Sequence, residues 1–132
     1  MPQYCFSINN YLEALKVISA SKKIKKTPIL YVKYNIINGF GINWIKELKS
    51  LINLKYKQNE YKIYIDSKNN YGLFIGLVEL KINYLKIKSD KQIFIKLNQI
   101  AKINKVSVNP KFSIVDLKKI KNIELKVIKT YE

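Results

Sequence analysis

Six polar residues in this chain stand at or just beyond the ends of apolar segments that we predict to be strands. These residues are Lys33, Asn35, Asp66, Ser67, Lys68 and Lys88. In an open α/β sheet, ligands bind outside the carboxyl ends of the parallel strands. The three lysines would attract an anion there, and helix N-termini at the same edge would add partial positive charge. The sequence therefore predicts a ligand-binding rim that takes a small anionic ligand or a partner protein.

Asp66 is the strongest single candidate on this rim. A carboxylate directly after an apolar strand is costly to bury without a partner, so a ligand contact would explain its position. A structural role as the cap of the following helix would explain it equally well. For Lys33 and Lys88, simple exposure to solvent is the competing interpretation.

The chain lacks the residues that several kinds of catalytic, metal-binding and nucleotide-binding site require. The chain has no histidine, which removes histidine bases, Ser-His-Asp triads and histidine metal ligands. Its one cysteine, Cys5, permits neither an intrachain disulfide nor a cysteine-rich zinc site. Gly39-Phe40-Gly41 lacks the third glycine of a dinucleotide fingerprint, and no Walker A sequence occurs. We therefore expect no catalytic residue, metal or cofactor, although a lysine-based enzyme stays open.

The net charge of +16 indicates affinity for polyanions. The residues that carry this charge, however, indicate that it did not arise through selection for nucleic-acid binding. All 25 basic residues are lysine, which cannot copy the bidentate contacts of arginine with phosphate and guanine. Lysine, isoleucine, asparagine and tyrosine are all abundant, and drift of the genome towards A and T would explain all four. A basic RNA- or ribosome-associated protein, attracted through charge alone, is the alternative function.

Apolar and amphipathic segments alternate along the chain, which predicts repeated strand–helix units. Five strands are expected, at residues 4–8, 28–34, 61–66, 84–88 and 106–108. Four helices are expected, at residues 11–20, 42–56, 71–82 and 91–104. Residues 35–41 are predicted to form a loop, and Gly72 and Gly76 to let their helix approach the sheet closely. Within residues 113–132, a helix over 114–122 or an edge strand over 123–128 is expected.

This repetition predicts a single small α/β domain over residues 1–132 with about five mostly parallel strands. The arrangement is either a flavodoxin-like open sheet or half of a β/α barrel. No apolar run approaches the ~20 residues that span a bilayer. The first six residues lack the charged and apolar regions of a signal peptide, so we expect a cytoplasmic protein. The sequence leaves the oligomeric state open.

The segment from Asp66-Ser67-Lys68, at a strand end, to Gly72-Leu73, at a helix start, carries a family resemblance. It resembles a block in a family of small uncharacterised alphaproteobacterial α/β proteins, in which a strand ending Leu-Asp-Cys-Gly precedes a Gly-Leu-Ala helix. Ser67 stands at the position of the cysteine and Lys68 at that of the glycine. The resemblance implies a shared fold and a bacterial lineage, but no established activity.

The same Asp66-Ser67 pair before a Gly-Leu helix is also similar to the anti-sigma-factor antagonist domain. In that domain a serine at a helix start is phosphorylated. This second resemblance implies a phospho-switch in which Ser67 carries the phosphate. The leading hypothesis remains a non-enzymatic or regulatory domain with a binding rim at the strand ends.

Overall fold

The computed structural model describes residues 3–132, so Met1 and Pro2 of the opening segment lie outside the described residues. Within that range, strands and helices alternate along most of the chain. The strands are β1 (Gln3–Ser7), β2 (Ile29–Val32), β3 (Lys62–Asp66), β4 (Tyr84–Lys86), β5 (Ser107–Val108) and β6 (Phe112–Asp116). The helices are α1 (Tyr11–Lys23), α2 (Tyr34–Phe40), α3 (Ile42–Ile52), α4 (Tyr71–Glu79), α5 (Lys91–Ile103) and α6 (Ile123–Tyr131). None of the helices in residues 3–132 is both long and apolar enough to cross a membrane.

One sheet contains all of these strands, in the order β5-β4-β3-β2-β1-β6. Every neighbouring pair is parallel. The predicted α/β domain of repeated strand–helix units with a parallel sheet is therefore confirmed. The strands β1 to β5 lie side by side in chain order, and β6 pairs with the other edge of β1.

The helices pack on one face of the sheet only. Buried side chains of all six helices join a single core with alternate strand residues, as the two-residue period of a strand requires. The strand residues of this core include Phe6, Leu30, Val32, Ile63, Ile65 and Leu85. A second cluster lies on the opposite face and consists of strand residues alone. Its members are Cys5, Ile29, Tyr31 and Tyr64, with Tyr84 and Phe112 packed against them.

The sheet is strongly curled, and the helix-free face is the concave one. Its outermost strands, β5 and β6, are joined by residues 109–111 alone. Four steps between Cα atoms cover at most ~15 Å, whereas the outermost of six strands in a flat sheet would stand ~24 Å apart. Side chains across the concavity meet as a result: the ring of Phe112 on β6 lies 4.8 Å from that of Tyr84 on β4.

The curled sheet combines features of the two arrangements that the sequence left open. The uninterrupted order of β1 to β5 and the one-sided helices are features of half a β/α barrel. The edge strands β5 and β6 do not pair with each other, so the sheet is open and not a closed barrel. Curvature, rather than a covering layer of helices, buries the concave cluster.

The prediction for the C-terminal segment 113–132 is wrong in its order of elements. Residues 112–116 form β6, where a helix was expected from residue 114, and residues 123–131 form α6, where an edge strand was expected. Pairing of β6 with β1 along five residues decides the first assignment. The Asn122 side chain accepts a hydrogen bond from the Leu125 N–H and begins the helix.

Two smaller predictions are also wrong. Residues 35–41, expected as a loop, form most of α2, because Ile37 packs into the main core. Gly41, with φ of 83°, separates α2 from α3. Gly76 does permit a close approach, but to α3: a Cβ atom there would lie 2.5 Å from Cδ1 of Ile42. The glycine spacing thus fits a helix neighbour and not the sheet.

Candidate functional site

A polar cavity lies where β3 and β4 end, at the carboxyl edge of the concave face. Five residues line this cavity of about 400 Å³, which we call the mouth: Asp66, Lys68, Asn69, Lys86 and Lys88. The pairing of Asp66 with Lys86 in the β3–β4 ladder brings the two strand ends side by side. Parallel strands thus place side chains from separate parts of the sequence in one site.

A larger cavity of about 720 Å³ adjoins the mouth and shares Lys86 and Lys88 with it. We call it the cleft, and its walls come mainly from the end of β4, the start of α5, the connection between β5 and β6, and β6 itself. Its lining residues are Tyr64, Lys86, Ile87, Lys88, Ser89, Lys91, Phe94, Asn109, Pro110, Lys111, Phe112 and Ile114. The lining is therefore a mixture of lysines with aromatic and aliphatic side chains, and it contains no carboxylate.

The structure brings three of the six predicted rim residues together. Asp66, Lys68 and Lys88 all line the mouth. Lys33 and Asn35 belong to the start of α2, after β2, and line neither the mouth nor the cleft. The Lys68 ammonium nevertheless lies 5.1 Å from the ring centroid of Tyr34, so the start of α2 borders the mouth.

Asp66 is held by the backbone next to it and does not cap α4. Its Oδ1 accepts a hydrogen bond from the Lys68 N–H at 2.9 Å, which forms a tight turn after β3. Its Oδ2 lies 3.5 Å from the hydroxyl of Tyr31. The cap of α4 is Asn70, whose side chain accepts from the Leu73 N–H at 3.0 Å. The predicted helix-cap role of Asp66 is therefore wrong.

Ser67 is fully buried beneath the mouth. Its hydroxyl donates a hydrogen bond of 2.6 Å to the carbonyl of Lys86, and its N–H donates to the same oxygen at 2.9 Å. Both bonds fix the end of β3 to the end of β4. Ser67 thus orients the two strand ends, and its hydroxyl is not presented to solvent.

The lysines around the mouth and the cleft are not neutralised by ion pairs. In the part of the chain that the structure describes, the two ion pairs are Lys22–Glu60 and Lys23–Glu124, which lie outside both cavities. The nearby carboxylate of Asp90 accepts from the Ile93 N–H and caps α5. Five lysines (Lys68, Lys86, Lys88, Lys91 and Lys111) and one carboxylate therefore line the two cavities. Their positive charge favours an anion.

The concave cluster below the mouth holds its titratable groups in the neutral form. Burial raises the pKa of Tyr31 to about 12, and the neighbouring Asp66 carboxylate adds to the shift. Burial likewise raises the pKa of Tyr64, and it raises the pKa of the Cys5 thiol to about 12. None of these groups supplies a general base or a thiolate at neutral pH.

Asn109 closes the edge of β4 beyond the short strand β5. Its Oδ1 accepts from the Ile87 N–H at 2.8 Å, and its Nδ2 donates to the Ile87 carbonyl at 3.1 Å. The side-chain amide thus replaces a strand neighbour at this position. Asn109 adopts a φ of 52°, which turns the chain towards Pro110 and Lys111 at the side of the cleft.

Sequence reasoning missed most of the cleft. Lys86 could have been identified, because it alternates with buried Leu85 in the predicted fourth strand. Phe112 and Ile114 could not, because they belong to a strand that only its pairing with β1 defines. Phe94 lies in an amphipathic helix whose pattern gives no sign that this ring lines a cavity.

Within residues 3–132, no group of three or more histidine, cysteine, aspartate or glutamate side chains could hold a metal ion. The chain matches no protein-family model, and it matches no curated protein.

Proposed function

We propose that this protein is a non-enzymatic or regulatory domain that binds a small anion at the mouth. The observation that carries the proposal is the convergence of Lys68, Lys86 and Lys88 on one cavity. Their charges come from two strand ends and face a single carboxylate, Asp66. Binding an anion would relieve the repulsion among the lysines, which gives the site a physical reason to be occupied.

The anion would be held by charge-assisted hydrogen bonds. Lysine ammonium groups bind phosphate and carboxylate oxygens as point charges, so they accept several anion geometries. All three lysines are exposed to solvent, so each such bond contributes ~0.2–1 kcal/mol, the range of exposed ion pairs. The hydrogen bonds of Ser67 to the Lys86 carbonyl hold the ends of β3 and β4 together, which fixes the backbone positions from which the lysines extend.

The proposal is tested by titrating the protein with inorganic phosphate in a calorimeter at constant ionic strength. Replacing two mouth lysines, in the variant Lys86→Gln/Lys88→Gln, is expected to lower phosphate affinity by about three- to tenfold. A control variant with the same change in charge is Lys102→Gln/Lys129→Gln. Both control lysines lie in the last turns of α5 and α6, at the opposite edge of the sheet.

Equal losses in the two variants would show general charge attraction and would contradict a site at the mouth. A single-stranded RNA oligonucleotide, titrated in parallel, distinguishes the alternative of a basic RNA- or ribosome-associated protein. That alternative predicts RNA binding with a steep dependence on salt and a similar loss in both variants. A site-specific anion predicts a loss confined to the mouth variant.

The phospho-switch alternative is less well supported than the anion site. A kinase needs access to the serine hydroxyl, and the Ser67 hydroxyl is buried in a bond to the Lys86 carbonyl. The resemblance to the alphaproteobacterial family stays a prediction, as does binding of a partner protein at the same edge.

A reducing cytoplasm remains the expected compartment, since the one thiol of the chain is free and buried.

A further inference from the structure

The cleft is much larger than a bare inorganic anion requires. Its volume of about 720 Å³ lies in the range of pockets that hold whole small molecules. A water molecule, for comparison, occupies ~30 Å³. Because the cleft shares Lys86 and Lys88 with the mouth, a ligand anchored by these two lysines would extend into it.

The walls of the cleft suit a flat apolar group. Phe112 meets Tyr64 edge to face, with ring centroids 5.6 Å apart and planes at 85°. Phe94 and Ile114 extend the apolar lining from α5 and β6. Ile114 is 48% exposed although it faces the concave side, so its apolar surface is uncovered in this structure. Aromatic rings prefer to stack on, or meet edge to face with, other rings.

We infer that the ligand is an aromatic anion, whose charged group binds Lys86 and Lys88 and whose ring occupies the cleft. This inference rests on the proposed anion-binding function and adds the class of ligand to it. Lys91 and Lys111 stand at the sides of the same cavity, where they would neutralise further negative charge. The cleft has no carboxylate that would favour a cationic ligand.

The test compares 1-naphthyl phosphate with methyl phosphate and inorganic phosphate, each titrated into the wild-type chain at constant ionic strength. We expect 1-naphthyl phosphate to bind roughly tenfold or more tightly than methyl phosphate, a difference of ~1.4 kcal/mol. The two esters share one phosphate monoester group, so the difference between them reports the ring, and inorganic phosphate reports the anion site without any ester group.

Nuclear magnetic resonance of the methyl groups locates the ring without any substitution. Ring currents of bound 1-naphthyl phosphate are expected to shift the methyl resonances of Ile114. The control is Leu125 on α6, which is 47% exposed and lies outside the cleft. The variants Ile114→Ser and Leu125→Ser form a matched pair, and only Ile114→Ser should reduce the advantage of 1-naphthyl phosphate.

The outcomes separate the inference from the function on which it rests. Tighter binding of 1-naphthyl phosphate, with shifts at Ile114 and not at Leu125, supports the aromatic anion. Equal affinity for all three phosphates, with no shift at Ile114, overturns it and leaves the anion site standing. Absence of binding by all three contradicts the proposed function itself.

Discussion

Cys5, Tyr31 and Tyr64 carry polar atoms into the concave face, where no helix covers them. The sheet's own curvature buries them, because rings from β2, β3, β4 and β6 meet across the concavity. Burial disfavours the charged forms of a thiol and a phenol, and it raises the pKa of each of the three groups. The ease with which these three groups ionise therefore reports whether the curled sheet keeps the concave face closed to water.

The thiol of Cys5 should be unreactive in the folded protein. Disulfide exchange requires a thiolate, and burial raises the pKa of Cys5 to about 12. We expect labelling by an aromatic disulfide reagent at neutral pH to follow the rate of unfolding. Fast stoichiometric labelling of the native protein, compared with the protein in guanidinium chloride, would contradict a closed concave face.

Stability should fall in alkali partly through Tyr31. Its pKa of about 12 in the folded state exceeds the ordinary value of 10.0, so the unfolded chain loses the proton first. The contribution of Tyr31 is complete below pH 10 and is lost as the pH rises towards 12. We expect Tyr31→Phe to flatten the decline in unfolding free energy over this interval, measured by urea titration. The same slope in both proteins would show that Tyr31 is not the group responsible.

At the scale of the element, the side-chain amide of Asn109 takes the place of a neighbouring strand just beyond the end of β5. Asn109 satisfies both backbone groups of Ile87 and does so from a left-handed backbone conformation. Asparagine is among the few residues that adopt this conformation readily, and glycine is another. Substitutions here can separate the amide hydrogen bonds from the backbone requirement.

Asn109→Gly keeps the backbone conformation and removes the amide, so it should lower the unfolding free energy by ~1–3 kcal/mol for two hydrogen bonds. Asn109→Ala removes the amide and adds the strain of a left-handed alanine, ~1–2 kcal/mol more. Urea unfolding of the two variants measures the difference. If Asn109→Ala were as stable as Asn109→Gly, the left-handed backbone would not be needed at this turn.

The contact between α3 and α4 depends on the missing side chain of Gly76. An alanine Cβ at this position would meet Cδ1 of Ile42, so Gly76→Ala should destabilise the wild-type protein. Ile42→Val removes that methyl group, and in this background Gly76→Ala should gain up to ~1 kcal/mol from helix propensity. A double-mutant cycle in urea measures the coupling. Additive effects of the two substitutions would contradict the contact.

The sequence pattern was sufficient to predict helices and strands whose apolar residues repeat at regular spacing. It was insufficient for elements that form only by pairing with a distant strand. Asp66 and Lys88 were predicted on one rim because apolar runs precede them and parallel strands share an edge. The strand around Phe112 has no buried residue, so its alternation is weak, and pairing with β1 defines it. The curl of the sheet, and with it the cleft, follows from that pairing and could not be predicted locally.

Across the whole molecule, positive charge is spread over every layer and is little compensated. The chain has a net charge of +16, and within residues 3–132 two ion pairs are formed. Lysines lie on α1, α3, α5 and α6 as well as around the mouth. Mutual repulsion of these charges opposes the compact state.

Added salt should therefore stabilise the protein. At ~0.15 M salt the screening length is ~8 Å, which is short enough to weaken repulsion between surface lysines. We expect the melting temperature to rise with sodium chloride and to rise further with sodium phosphate at the same ionic strength. The additional rise should be smaller in Lys86→Gln/Lys88→Gln, and what remains there is the general stabilising effect of phosphate as a salt. A melting temperature that is independent of salt would contradict the importance of repulsion.

The short connection between β5 and β6 has a consequence for how this fold can vary. Three residues hold the two margins of the sheet together, so their number determines the radius of the concavity. A longer connection would let the edge strands β5 and β6 separate, so that a bulkier ligand could bind. Full pairing of β5 with β6 would close the cleft to any ligand. Insertions between Asn109 and Lys111 thus offer a direct way to alter the size of ligand that the molecule accommodates, with the helical layer left unchanged.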